Sequence, residues 1–167
     1  RLDNVPKSKA YGVEGELVVR PVTGLSIIGN ALWLKTRVDN YDGTNAAGKP
    51  QNFDGAEFIY SPRFQGSVTV AYDTPVADRL SLNGAVSLRY QSRSNTIFED
   101  IDLYKIDAYA VVNGSIGLKS EDGWSVSIWG KNLFDRYYWS AVASNANTVV
   151  RFPNQPRTFG ATLGFDF

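Results

Sequence analysis

The sequence contains no cysteine, no histidine and no methionine. Without cysteine there is neither a disulfide framework nor a thiolate metal site. Without histidine, Ser-His and Cys-His nucleophilic pairs cannot be assembled from these residues, and imidazole-bound zinc is excluded. Carboxylates pair only at chance spacing, so the chain is expected to be no enzyme and to need no cofactor. A translated chain starts with methionine; one that opens on Arg1 is expected to be processed or to be a piece of a longer protein. The stretch from Arg1 to Lys9 is polar and lacks the apolar centre of a secretory signal, so any export signal is expected upstream. Basic and acidic residues balance at 17 each, which leaves no basic stripe for nucleic acid. No apolar run approaches the ~18 residues of a transmembrane helix.

What the chain does have is alternation. From Leu80 to Gln91, Leu80, Leu82, Gly84, Val86, Leu88 and Tyr90 share one face, and Ser81, Asn83, Ala85, Ser87, Arg89 and Gln91 the other. Phe64 to Tyr72 and Arg157 to Phe167 repeat the pattern, and Ala10 to Arg20, Leu25 to Arg37, Ile106 to Lys119 and Trp124 to Asn132 follow it less cleanly. The expectation is seven strands, each near the ~9–11 residues that a tilted membrane strand needs. Connections alternate between short and long. Pro21 to Gly24, Asp73 to Arg79 and Ser120 to Gly123 read as tight turns, whereas Val38 to Ser61, Ser92 to Lys105 and Leu133 to Pro156 are long. Tight periplasmic turns and long extracellular loops are the habit of an outer-membrane barrel.

Alternation alone does not say which face is inside. Three features favour apolar outward. Tyr72, Tyr90, Trp124, Phe159, Phe165 and Phe167 fall at strand ends, where a membrane interface wants aromatic rings. Mid-strand apolar-face positions are small (Gly66, Gly84, Gly114, Ala161), which lipid tolerates and a close-packed core does not. The strands are also long beside the average soluble strand of ~5–6 residues. The fold expected is all-β: an antiparallel up-and-down transmembrane barrel, with Glu14, Glu16, Arg63, Arg89, Asp107 and Lys119 facing the lumen. There they would contact a plug or line a path, or else pair with one another across strands.

Several segments resemble the last strands of TonB-dependent outer-membrane receptors. Ser8 to Leu17 (SKAYGVEGEL) is similar to the family's S-x-G-V-E-x-E strand, with Gly24-Leu25 opening the next. Ser61-Pro62-Arg63 opens a strand as the family does, Asn132 to Tyr138 (NLFDRYY) matches its penultimate-strand ending, and Gln155 to Gly160 (QPRTFG) with a terminal Phe167 matches its close. The resemblance implies residues 1–167 as the C-terminal portion, about seven strands, of a 22-stranded barrel whose lumen is filled by an N-terminal plug. The plug, the segment that engages TonB and the earlier strands are then expected outside this sequence. An odd strand number agrees with that, since single-chain bacterial barrels use even numbers, and a piece with two unpaired edges is not expected to fold by itself in buffer. The resemblance further implies outer-membrane lipid and the barrel-assembly machinery as partners, the latter reading Leu163, Phe165 and Phe167, and import of a scarce nutrient, foremost a ferric siderophore.

Ligand recognition would lie in the long loops, with Tyr41, Phe53, Tyr137, Tyr138, Trp139 and Arg151 as candidate contacts; aromatic rings among polar groups suit a metal chelate, and equally suit loop solvation and interface anchoring. Asp39, Asp42, Glu99, Asp100 and Asp102 supply hard oxygens, but their spacing fits no EF-hand loop, and a solvated acidic loop is the expectation; no metal site is assigned. Two alternatives stay open: a self-standing eight-stranded barrel with a structural or adhesive role, needing an extra strand near Asn147 to Phe152, and a soluble lipid-binding barrel with an apolar interior.

Overall fold

The computed structural model describes residues 7–145 and 148–166. Along the chain the strands are β1 (Lys7–Val19), β2 (Leu25–Asp39), β3 (Asp42–Thr44), β4 (Pro50–Asn52), β5 (Phe64–Ala77), β6 (Leu80–Gln91), β7 (Ser94–Asn95), β8 (Lys105–Ile106), β9 (Tyr109–Ser120), β10 (Trp124–Lys131), β11 (Trp139–Asn145), β12 (Thr148–Pro153) and β13 (Thr158–Phe165). One 3-10 turn, Asp102–Tyr104, precedes β8. The seven long strands form a single meander in the order β1-β2-β5-β6-β9-β10-β13, every neighbour antiparallel. Among the described residues β1 and β13 do not pair with each other.

Period-2 alternation becomes two chemically opposite faces once register is fixed. One apolar row crosses the middle of the sheet through Leu17, Gly29, Val68, Leu88 and Val112, each opposite the next. On the other face Glu16, Asn30, Ser67, Arg89 and Val111 follow in the same way. The apolar face has no protein layer against it: Val13 is 71% exposed, Leu163 70% and Ile128 60%. Buried apolar residues are instead Val38, Tyr41, Phe53, Ile106 and Val142, all at the long-loop end. A soluble domain would fold to hide such a face, since each Val, Leu or Ile left in water forfeits roughly 1.5–3 kcal/mol. No described helix is long and apolar enough to cross a membrane, and strands are what present this apolar band. The soluble-barrel alternative fails here.

The band ends in two aromatic rows. Towards the long loops, Tyr11, Trp33, Phe64 and Tyr90 run across four strands: Trp33 sits opposite Phe64, Tyr11 meets Trp33 edge-on at 6.2 Å, and Phe64 meets Tyr90 at 5.9 Å. Towards the short turns stand Tyr72, Trp124 and Phe165, the last two opposite each other. Phe64 and Tyr72 mark both rows on β5, roughly 27 Å apart along an extended strand, or about 19–22 Å along the barrel axis at the ~35–45° tilt of such strands, so the rows bound most of a ~25 Å apolar band.

Several strand limits differ from the sequence expectation. β5 runs through Pro75 to Ala77, where Asp73 to Arg79 reads as a turn; the register shifts between Pro75 and Ala77, and proline is tolerated at such a bulge. The turn shrinks to Asp78-Arg79, with Arg79 at φ 60°. β9 begins at Tyr109, so Asp107 lies exposed in the preceding connection and not in a strand. The long connections carry structure of their own: β3 pairs with β4, β7 with β8, and β11 with β12. β12 falls where the self-standing barrel needs its extra strand, but it pairs with β11 in a separate two-stranded ribbon and does not extend the sheet.

Candidate functional site

Two surfaces carry the polar chemistry: the polar face of the sheet and the cap formed by the three long loops. The polar face is stitched by side chains that the register sets opposite each other. Ser67 Oγ donates to Asn30 Oδ1 (3.2 Å), Asn113 Nδ2 to Ser87 Oγ (3.3 Å) and Tyr109 Oη to Gln91 Oε1 (3.1 Å). Glu14, Glu16, Asn30, Leu32, Gln65, Ser67 and Arg89 line a concavity of about 750 Å³ on this side. Glu14, Glu16, Arg89 and Lys119 all lie on this face by register, and none makes an ion pair among the described residues. Pairing with one another, one of the two expected roles, is therefore not seen. Arg63 sits at the loop end of β5 and its guanidinium pairs with Glu57. Asp107 lies exposed in the connection before β9, outside the paired strands.

On the polar face near β13, the indole of Trp129 lies flat over Gly160, where a Cβ would collide with the ring, and Trp129 Nε1 donates to Thr162 Oγ1 at 3.3 Å. Trp129 had no role in the sequence reading; its position among serines on a polar strand face was the available signal.

The cap is one body. The 40–63 loop folds back along the top of β2: Val38 N donates to Ala56 O and Gly55 N to Val38 O (2.8 and 2.9 Å). That wraps Val38, Tyr41 and Phe53 into a small core closed by Phe98 from the 92–108 loop, with ring centroids 5.5 and 5.6 Å away. Ala46 N donates to Glu99 Oε2 (2.6 Å). Tyr60 donates from its backbone N to Asn95 O (2.7 Å) and from its hydroxyl to Val142 O (2.6 Å), so it touches both other loops. It does so at φ 54°, an uncommon backbone for a bulky residue. Lys105, buried, reaches Asp102 (2.6 Å) and Asp100 (2.8 Å). Hydrogen bonds from its ammonium hold both carboxyls below the usual carboxylate range, and the two carboxylates raise Lys105. The acidic cluster is thus occupied by Lys105 and a backbone amide, and no metal-holding group of acids occurs among the described residues.

The six aromatic and basic candidates separate into three roles. Tyr41 and Phe53 are 8% and 6% exposed and pack their rings into the loop core. Arg151 and Trp139 form a clamp, the guanidinium 5.4 Å over the indole while Nη2 donates to Leu103 O (3.0 Å). Tyr137 is exposed beside Trp139, and Tyr138 is half-buried, stacked on Tyr109 with centroids 3.9 Å apart. Burial, then the neighbouring Tyr109, pushes the Tyr138 phenol upward, against a smaller opposite pull from Arg89. Tyr138, Tyr109, Gln91 and Arg89 therefore meet where cap and polar face join.

The base of the last loop explains the two sequence signatures around it. Asn132, buried at φ 51°, accepts from Arg136 N at Oδ1 (2.8 Å), and its Nδ2 donates to Arg136 O (3.0 Å) and Gln155 O (3.3 Å). Asp135 Oδ1 accepts from Arg157 N (3.0 Å). Asn132 to Asp135 and Gln155 to Arg157 are two halves of one staple that ties the loop's exit to its entry. Leu163 and Phe165 lie on the exposed apolar face of β13, and Phe167 lies outside the described residues.

A one-layer antiparallel meander with an unpartnered apolar band, two aromatic rows and a capped polar face defines a segment of an outer-membrane β-barrel. The β-barrel model of the TonB dependent receptor-like family matches residues 1–133, and the chain belongs to that family, one of outer-membrane receptors and not of enzymes. Among curated proteins it is 29% identical over 170 residues to the ferric-pyoverdine M114 receptor PbuA of Pseudomonas sp. (strain M114), covering 98% of this chain and 19% of the relative. It is 24% identical over 177 residues to the pesticin receptor of Yersinia pestis, covering 99% of this chain and 23% of the relative. The chain thus spans about a fifth of the length of these relatives. The ferric yersiniabactin uptake receptor FyuA from Yersinia pestis superposes with a TM-score of 0.79 at 22% identity, over 96% of this chain and 24% of that one. The ferripyoverdine receptor of the Pseudomonas aeruginosa outer membrane, solved with ferripyoverdine bound, gives 0.66 at 19% identity, over 96% and 20%. These two likenesses establish the fold.

Proposed function

We propose that this chain is the C-terminal portion of the barrel of an outer-membrane receptor that captures and imports a ferric siderophore, energised through TonB. The observation that carries the reading is the relationship, over nearly the whole chain, to a ferric-pyoverdine receptor. In this reading the plug, the TonB-engaging segment and the earlier barrel strands belong to the part of the protein that precedes residue 1. The polar face is the lumen wall. Glu14, Glu16, Arg89 and Lys119, unpaired within the described sheet, are groups that a plug would meet, since a charge facing a protein-filled lumen needs a partner or water. Arg63 with Glu57 marks the rim. Tyr138 and exposed Tyr137 are the ligand contacts, supported by Tyr109 and Arg89 below them; Trp139 and Arg151 hold them in place. Leu163, Phe165 and Phe167 serve as the assembly signal.

The test is uptake of radiolabelled iron by an iron-starved deletion strain. Loss of import of one ferric siderophore, restored by the full-length gene and weakened by Tyr138→Ala, is the expected result. Undiminished uptake of every ferric siderophore tested, with loss of a different cargo such as cobalamin, overturns the siderophore assignment while keeping the receptor.

A further inference from the structure

Strands β6, β9 and β10 contain no aspartate or glutamate, yet each carries a cation on its polar face: Arg89, Lys119 and Lys131. All three are exposed, and none makes an ion pair among the described residues. By contrast, Arg37, Arg63, Arg79 and Lys105 each hold a carboxylate. Glu14 and Glu16, acids of the same face, stand on β1, with β2 and β5 between them and Arg89. Register spaces the cations down the wall. Arg89 faces Val111, two residues inward of Tyr109, on whose ring Tyr138 stacks. Lys119 is eight residues beyond Val111 on β9, roughly 26 Å. Lys131 lies at a height between them: Ser125 faces Lys119, and Lys131 is six residues up β10 from Ser125, roughly 20 Å. Lys131 Nζ sits 5.4 Å from the Trp129 ring centroid, and that ring rests on Gly160 with Nε1 donating to Thr162 Oγ1. The indole face stabilises the ammonium without cancelling its charge, as a carboxylate would.

An ionisable group within a membrane-spanning segment is costly, and such groups mark substrate and ion pathways. Three cations with no acid among them concentrate anions along the wall. Spacing of roughly 10–20 Å keeps each hold separate, and passage through successive sites needs binding weak enough to release. We propose that β6, β9 and β10 form a cationic lane along which an anionic metal chelate passes inward, from Arg89 past Lys131 to Lys119. The inference rests on the receptor reading and adds the sign of the cargo's charge and the stretch of wall it follows. In that reading a plug covers Arg89 and Lys119 at rest, and import uncovers them to the cargo. A fixed plug contact needs one cation at one height; three at successive heights, starting below Tyr138, suit a group that moves.

The experiment uses the full-length gene in an iron-starved deletion strain and a panel of radiolabelled ferric catecholates, carboxylates and hydroxamates, from anionic to uncharged complexes. Surface binding is read in energy-depleted cells and uptake rate in energised ones. The complex whose import the deletion loses is expected to be anionic. Replacing Lys119 and Lys131 together by Gln is expected to slow its uptake roughly tenfold with surface binding unchanged, and replacement by Arg to retain the rate. An uncharged cargo, or unchanged uptake by the Gln variant, overturns the lane and leaves the receptor standing. Entry of bulky antibiotics into cells bearing the Gln variant assigns the cations to seating the plug, and also overturns the lane. If the double variant does not reach the membrane, Lys131→Gln alone and the charge of the wild-type cargo still decide. A deletion that loses import of no complex in the panel overturns the siderophore reading, and the lane with it.

Discussion

The hydroxyl of Tyr60 donates to the carbonyl of Val142 at 2.6 Å, joining two loops that lie 82 residues apart in sequence. Because Tyr60 also donates its backbone N–H to Asn95, one residue holds all three long loops, and it does so at positive φ. Tyr60→Phe removes one part-buried hydrogen bond, worth about 1 kcal/mol. Amide exchange in β11 and β12 of the full-length receptor is expected to accelerate roughly fivefold, with the seven-stranded sheet unaffected. Equal acceleration in the sheet would show that Tyr60 acts through global stability.

Asn132 tests whether the sequence signature at the end of β10 is a structural staple. Asn132→Ala leaves Arg136 N and the carbonyls of Arg136 and Gln155 without their partner and puts at positive φ a residue without the side-chain amide that makes asparagine tolerant of that region, at a cost of about 3 kcal/mol. Asn132→Gly keeps the backbone and loses only the bonds, about 2 kcal/mol. Urea unfolding in lipid vesicles, followed by tryptophan fluorescence, reads both; equal loss in the two variants removes backbone conformation from the account.

The orientation of the sheet is testable with one strand. Ile128 is exposed on the apolar face and Ser127 lies on the polar face beside it. Ile128→Arg is expected to destabilise the barrel by about 2–4 kcal/mol, the cost of arginine near the bilayer midplane. Ser127→Arg should change stability by no more than about 0.5 kcal/mol. The reverse ranking would turn the sheet inside out.

The Lys105 clamp sets a pH window for the cap. Asp100 and Asp102 have lowered pKa values, so their contribution is complete above the unfolded carboxyl value near 3.9 and is lost as pH falls through their folded values. Lys105 is raised, so its contribution is complete below about 10.4 and is lost as pH rises through its folded value. Exchange protection across residues 94–106 is expected to stay level between about pH 5 and 10 and to fall on either side. Lys105→Met should abolish both edges; a persisting acid edge would assign it to other carboxylates.

The seven-stranded sheet was legible because each strand meets two different solvents, and a two-residue period is the direct imprint of that. Leu80 to Gln91 shows it residue for residue. Pro75 misled because proline usually ends a strand, whereas here a bulge at the turn end accommodates it. The loops were not legible for a different reason. Tyr41 and Phe53 have the composition of a binding surface, and only the fold-back onto Val38, closed by Phe98 from a separate loop, reveals them as core. Asn132 and Gln155 were recognisable as family marks, yet the hydrogen bond between them needs the whole intervening loop to close. Contacts that span 20 to 80 residues leave no periodic trace.

The three-way junction at Tyr60 has a consequence for anything that recognises the cell-surface side of this protein. Tyr60, Asn95 and Val142 come from three separate stretches of chain, so the surface around them is a discontinuous epitope. A linear peptide copied from any single stretch would display the side chains without their arrangement, and an antibody raised against such a peptide would meet a differently shaped target on the intact receptor.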